Sequence, residues 1–407
     1  MNVHSRKPFS ILACAAIFIA LILLFTPFEQ GGNNPTMLPK YLAAGASMFV
    51  LAPLILFRKL KISPPSMLVL VVLSTIIFHV IIIRPVPPQF VLLIAANLAL
   101  AILLYEIRFV YRSEFEAALV GLLVISAISV YVQAVLFYFI THTIFDVHRL
   151  LFGAESRVAE DFLNIARFSG LHVEPGGYTN YVSCLLLIYV FSADLSKTAM
   201  SVAAASIFSI LITHSASSMF FVTVILLLLG WLWRSRITML HVLLVLSAIV
   251  CYVYASNFLE HLLSRFGRDD GSMSLKVLGI NTYLRMSLEE QLIGFGFGND
   301  PCTACHYQDV GVVLNLVSRG GLLVAMAVSL LLLRAVKLHG LVLATLIFSI
   351  PVYCITWFYE VPIWLFILFA TSSAQMLVKG KRVDQAAAAP TAWRNAGLAT
   401  NRTTEAS

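Results

Sequence analysis

The chain has 407 residues, of which 60% are hydrophobic and 12% charged, with a formal net charge of +7. Together with a mean hydropathy of +0.91, this composition suits a bilayer and excludes an ordinary water-soluble domain. The positive balance fits retention at an anionic inner leaflet, and no nucleic-acid signature stands behind it.

A membrane-spanning helix needs about 20 mostly apolar residues. Such segments recur about 12 times, near 9–27, 38–57, 66–83, 90–105, 117–140, 178–193, 199–213, 216–233, 237–256, 311–334, 340–359 and 361–378. The expected fold is therefore all-α, a polytopic integral membrane protein. The first segment follows His4, Arg6 and Lys7 but has no small-residue cleavage site, so it reads as a retained signal anchor. With the N-terminus inside, the inner gaps carry Arg58-Lys59-Leu60-Lys61, Arg108, Arg112, Lys197, Arg234, Arg236, Lys337 and the Lys379 to Arg382 cluster. That placement puts roughly 17 of the 27 basic residues inside and roughly 14 of the 20 acids outside, which predicts both termini to be cytoplasmic. Residues 1–382 are the expected membrane domain, and 383–407, with the run Gln385 to Pro390, an expected disordered cytoplasmic tail.

Two long polar stretches interrupt the pattern, 141–177 and 257–310, and both fall on the extracytoplasmic side. Neither has the apolar content for a core of its own, so both must pack on the bundle. Seven arginines lie in or beside them: Arg149, Arg157, Arg167, Arg265, Arg268, Arg285 and Arg319. Guanidinium groups gathered with carboxylates at one membrane face point to a phosphate-bearing substrate. The first stretch ends in Arg167-Phe168-Ser169-Gly170-Leu171-His172-Val173-Glu174-Pro175-Gly176-Gly177-Tyr178, whose proline and glycines mark a turn into a helix. Arg167 and Glu174 are either a surface ion pair or an anion-binding arginine beside a proton acceptor. The second holds Arg285, then Gly294-Phe295-Gly296-Phe297-Gly298-Asn299-Asp300, and ends at His306, Asp309 and Gly311. Its alternating glycines permit tight turns and close approach of a ligand to backbone N–H groups. No strand precedes them, so they are not a nucleotide fingerprint. Arg319 lies inside its span if that helix starts at Gly311; otherwise the loop runs on to Gly320-Gly321.

Other chemistry is sparse. Cys302-Thr303-Ala304-Cys305-His306 has the spacing of covalent haem attachment. Without a soluble domain to hold haem, a disulfide or free dithiol is favoured. Asp269-Asp270 is not the spaced acidic pair of a metal-dependent nucleotide-sugar site, so neither metal nor cofactor is expected.

The pattern Arg-x-x-Gly-x-x-x-Glu-Pro over 167–175, with Gly-x-Gly-x-Gly over 294–298, resembles the O-antigen polymerase and ligase superfamily across roughly 165–330. The resemblance implies a GT-C-like bundle in the bacterial inner membrane, with the active site between two long periplasmic loops. It implies glycosyl transfer between glycans carried on undecaprenyl diphosphate. The Glu-Pro form is more similar to polymerases than to ligases. Where many members have a Ser-Arg pair, this chain reads Thr213-His214-Ser215. Where ligases have His-Asn, it has His306 and Asp309. The implied catalytic set is Arg167, Glu174, Arg285, Asp309 and His306, with Arg319, His172, Gly294, Gly296, Gly298 and Tyr178 binding substrate. The partners are the lipid-linked donor and acceptor and the bilayer, and binding of a chain-length regulator is left open. A ligase moving finished glycan to lipid A or protein shares most of these features. A transporter or flippase would place ionisable residues along its central helices, and apart from His79, His241 and Arg319 the spans have almost none.

Overall fold

The computed structural model describes residues 6–26, 38–56, 61–153, 156, 166–193, 196–232, 271–298, 310–354 and 357–372. Residues 1–371 form one compact unit; of the second, 372–407, only Ser372 is among the described residues. Every regular element described is helical. In chain order they are α1 (Arg6–Phe25), α2 (Leu38–Leu56), α3 (Pro64–Phe78), α4 (Pro88–Ile107), α5 (Arg112–Val135), α6 (Val147–Phe152) and α7 (Pro175–Ser192). Then follow α8 (Lys197–Ile212), α9 (Ala216–Leu232), α10 (Gly271–Leu284), α11 (Leu288–Ile293), α12 (Val312–His339), α13 (Leu341–Tyr353) and α14 (Val361–Ala370). Wider π-helical turns extend α3 over His79–Ile83 and α5 over Leu136–Thr141.

Five of these stretches are long and apolar enough to cross a membrane: Leu38–Leu56, Pro64–Ile83, Pro88–Ile107, Arg112–Thr141 and Val312–His339. Shorter apolar helices stand beside them. Large apolar side chains face outward, Phe49 at 81%, Phe139 at 80% and Val342 at 84% exposure. Water would penalise that surface and lipid would not. The interior is built around two helices enclosed on nearly every side, α7 and the ten-residue, wholly apolar α14, nearly all of whose residues are buried. Helix α14 packs on α4 and α7 and also meets α1 and α3, while α7 packs on α5, α8 and α9.

Each segment predicted as a span contains a described helix, apart from 237–256, which lies outside the described residues; the last, expected over 361–378, is helical over Val361–Ala370, and 373–378 lie outside the described residues. The eleventh corrects its boundary. It was expected to run over 340–359, but α13 stops at Tyr353, where Pro351 occupies the last turn and Cys354 is extended. The aromatic run that follows turns inward, burying Phe358 and Tyr359 completely. Proline starts α3, α4, α7 and α14, where its missing N–H costs nothing. The predicted long loops carry helices as well: α6 in the first, α10 and α11 in the second.

Candidate functional site

The first motif is pinned to the bundle from two sides. Gln133, buried on α5, accepts from the N–H groups of Ser169 (3.1 Å) and Gly170 (2.8 Å) through Oε1 and donates through Nε2 to the Phe145 carbonyl at 2.8 Å. Gly170 has φ +56°, and a Cβ there would lie 2.3 Å from Ser129 Oγ, so only glycine fits. From the other side His214, itself at φ +50°, donates from Nδ1 to the Ala166 carbonyl at 2.9 Å. Phe168 is buried against Phe137 and Tyr138. Half-buried Arg167 is thereby held between fixed neighbours, and half-buried Glu174 becomes the N-cap of α7. His172 is buried, its ring stacked on Tyr181 (5.3 Å) and edge-on to Tyr178 (5.4 Å). Burial, with a smaller contribution from nearby His148, pushes the His172 imidazole down to about 3, so it is neutral at any working pH. Tyr178 is tied inward, its hydroxyl donating to Ser209 Oγ at 2.8 Å.

The second motif is docked on a break in α12. That helix begins at Val312, which places Arg319 within it, and Gly321 interrupts it with φ +60° and ψ −156°. The interruption leaves the Ser318 and Arg319 carbonyls without helical donors, and the N–H groups of Phe295 (3.2 Å) and Gly296 (3.0 Å) replace them. The Gly294 N–H closes α11 on Glu290 O at 2.8 Å. The glycines thus permit close approach of protein backbone: a Cβ on Gly294 would sit 2.2 Å from the Arg319 oxygen, and one on Gly298 2.8 Å from Val86. Arg319, 4% exposed, donates from Nε to Asn315 Oδ1 (2.5 Å) and from a terminal nitrogen to Phe297 O (3.0 Å), with its guanidinium 5.2 Å from the Phe295 ring. His79 secures the loop from α3, donating from Nε2 to Ile293 O (2.8 Å) and meeting Phe297 edge-on at 5.3 Å.

Both motifs reach the turn from Trp357 to Glu360. From the second loop, Phe297 packs on Phe358 with ring centres 5.0 Å apart. From the first, His172 stacks on Tyr181, and the Tyr181 hydroxyl donates to the Glu360 carboxylate. The other Glu360 oxygen pairs with Lys40 Nζ at 3.1 Å, and Lys40 also lies over the rings of Trp357 (5.4 Å) and Tyr359 (5.7 Å). Lys40 and Glu360 open onto a small cavity of about 40 Å³ that Asn97, Tyr181 and Tyr359 also line.

The structure brings Arg167, His172, Glu174 and Tyr178 together on one segment, and Gly294, Gly296, Gly298 and Arg319 on another. Arg285 is exposed at the end of α10. Asp309, His306, Cys302, Cys305, Arg157, Arg265, Arg268, Asp269, Asp270 and His241 lie outside the described residues. Among the described residues no group of His, Cys, Asp or Glu is arranged to hold a metal. Sequence reasoning missed Lys40, Gln133, Tyr181 and Glu360. Its one usable signal was an acid caught alone between the eleventh and twelfth apolar segments. No protein-family model matches the chain, and no curated protein is found that resembles it.

Proposed function

We propose that the chain is a membrane glycosyltransferase that joins polyprenyl-diphosphate-linked oligosaccharide repeats into a surface polysaccharide on the periplasmic face of the bacterial inner membrane. The reading takes the bundle to have about 12 spans with both termini cytoplasmic. One observation carries it: the segment bearing Arg167 and Glu174 and the loop Gly294 to Gly298 both pack onto the Trp357–Glu360 turn, through Tyr181 and Phe358 respectively. Residues far apart in the chain thus share one end of the bundle, where charged and aromatic side chains line a pocket.

In the proposed reaction a hydroxyl of the acceptor glycan attacks the anomeric carbon of the donor. The bond from that carbon to the diphosphate oxygen breaks, its electron pair leaves with the polyprenyl diphosphate, and the configuration inverts. Charge grows on the leaving oxygen, and arginines suit it because their planar donors hold diphosphate bidentately and stay protonated. Arg167 and Arg285 take this role, with Arg319 holding the second loop in register. Glu174 takes the proton of the attacking hydroxyl, and Asp309 and His306 are the other candidates for that step.

The test is purified protein in liposomes supplied with a lipid-diphosphate-linked oligosaccharide, followed by gel separation of products. A ladder is expected from the unaltered chain, with about a 10²- to 10³-fold loss of rate in Arg167→Ala and in Arg285→Ala. Cognate substrate that yields no ladder overturns the polymerase reading in favour of ligation to another acceptor or of transport.

A further inference from the structure

The second polar stretch carries an apolar surface that the bundle does not use. On α10, buried Gly279 and half-buried Tyr283 face inward, and Tyr283 packs with Met286 against Phe295. Val277, Ile280 and Leu284, spaced three and four residues apart, form an exposed stripe on the other side. Leu288 and Leu292 extend it onto α11, and Leu284 and Leu288 are 64% and 71% exposed. Asn281, Arg285 and Glu289, exposed at four-residue intervals, make a polar edge beside it. An apolar surface of this kind needs a cover, and its position says which. A Cβ on Gly321 would lie 2.2 Å from the Leu292 carbonyl oxygen, so Leu292 adjoins Leu322, which is exposed on α12 with Met326 one turn on. His79 ties Ile293 to the end of α3, where Ile81 and Ile82 are exposed. The stripe therefore continues the outward faces of two helices that are long and apolar enough to cross a membrane. Depth agrees. The loop that follows α11 bonds the Ser318 and Arg319 carbonyls, and Arg319 precedes Lys337, in the last turn of α12, by 18 residues, about 27 Å at 1.5 Å per residue. With Lys337 at one edge of a hydrocarbon layer about 30 Å thick, the docked loop lies at the other edge.

We propose that α10 and α11 are an interfacial anchor that lies on the bilayer, with Val277, Ile280, Leu284, Leu288 and Leu292 in the acyl region of the leaflet at that face. The polar edge then faces the headgroups, where the exposed Arg285 guanidinium complements the lipid phosphates in charge. The inference needs a bilayer and not the glycosyl transfer. It bears on that reaction all the same, because the diphosphate of a lipid-linked donor lies at the depth to which the anchor brings Arg285.

The experiment is tryptophan fluorescence of the full chain in nanodiscs of phosphatidylethanolamine and phosphatidylglycerol. The probe is introduced by Leu284→Trp, Leu288→Trp or Glu289→Trp, and its emission is the difference from that of the unaltered chain. The quenchers are lipids brominated on the acyl chains and iodide in the water. Brominated lipid is expected to quench Leu284→Trp and Leu288→Trp about 5-fold or more as strongly as iodide does, and Glu289→Trp is expected to show the reverse order. Ile280→Trp takes the place of either leucine variant if that variant does not fold. Quenching of the leucine positions by iodide as strongly as of Glu289→Trp puts the stripe in water, and quenching by neither agent puts it under protein, a second copy of the chain included; each overturns the anchor. A ladder from a chain whose stripe lies in water leaves the polymerase standing without the anchor. Lipid quenching in a chain that makes no ladder from cognate substrate leaves the anchor standing without the polymerase.

Discussion

Replacing Gln133 by leucine should release the first motif from the bundle. The side chain is fully buried, and its Oε1 is the acceptor for two consecutive backbone N–H groups, those of buried Ser169 and Gly170, at 3.1 and 2.8 Å. Leucine has nearly the same shape but accepts nothing, so two buried donors lose their partner. Each orphaned group costs about 1–3 kcal/mol, which places the loss near 4 kcal/mol for the pair. The Phe145 carbonyl adds less, because Phe145 is 41% exposed and water can reach it in place of Nε2. Gln133→Glu keeps an oxygen for both N–H groups but turns a second carboxyl oxygen toward the Phe145 carbonyl and buries an ionisable group, so it should recover only part of the loss. Two measurements check this: thermal unfolding of the detergent-solubilised protein, and hydrogen exchange read on peptides covering 166–174. The expected result is a lowered midpoint with faster exchange confined to that segment in Gln133→Leu. Unchanged stability together with unchanged protection would refute the assignment of Gln133 as the anchor. If the ladder assay holds, rate should fall with protection, since Arg167 and Glu174 ride on the same segment.

Gly294→Ala should be as damaging as a core substitution, by about 3 kcal/mol or more, because φ is +89° and the new methyl would lie 2.2 Å from the Arg319 carbonyl oxygen. Gly153→Ala, at φ +74° with open space around it, shares the backbone strain alone and should cost about 1 kcal/mol; equal melting midpoints for the two would count against the docking of the glycine loop on α12. The buried His172 ring predicts a pH dependence of stability. Its folded value of about 3 lies below the value of about 6.5 for an exposed imidazole, so between them the unfolded chain binds more protons. Stability is then complete above pH 6.5 and declines as pH falls toward 3, by about 2 kcal/mol at pH 5. His172→Phe, which keeps an aromatic ring against Tyr178 and Tyr181, should flatten this part of the pH profile.

What was legible in the sequence follows from what local pattern can encode. Apolar runs of span length are local, and so is the proline that marks the start of α7 at Pro175; the starts of α3 and α4 fall two residues before those expected, at Pro64 and Pro88, a local signal that the apolar pattern alone does not use. The start of α12 at Val312 settles whether Arg319 belongs to helix or loop, and the paired glycines mark a break within the helix instead of its beginning. The Lys40–Glu360 pair was illegible because its members are 320 positions apart and nothing local to either names the other. Gln133 was invisible for a related reason. A glutamine inside an apolar helix signals only that some polar partner must exist, and the partner proved to be the backbone of the motif itself. The eleventh segment was overextended because Trp357-Phe358-Tyr359 reads as apolar whether it lies in a helix or in a buried turn.

The two arginines assigned to the diphosphate differ in how they are held, and the difference bears on mechanism. Arg167 is half-buried, on a segment fixed by Gln133 and His214. The side chain of Arg285 is exposed, yet its backbone is constrained. The Gln291 amide donates to the carbonyls of Tyr283 (3.3 Å), Leu284 (3.2 Å) and Met286 (3.1 Å), closing the end of α10 against α11. A reciprocal cap between Ser287 and Glu290 starts α11, and α11 passes directly into the glycine loop docked on the α12 break. Arg285 therefore sits on a knuckle whose anchorage ends at Arg319. An exposed cation on a fixed mount would suit the proposed capture of a diphosphate that arrives and leaves in every cycle, because a long side chain can follow the phosphate while its base stays in register. A guanidinium on a backbone fixed at both sides, as that of Arg167 is by the bonds to Ala166, Ser169 and Gly170, is suited in the proposed reaction to stabilising charge at one place as the bond breaks, where preorganisation is what lowers the barrier.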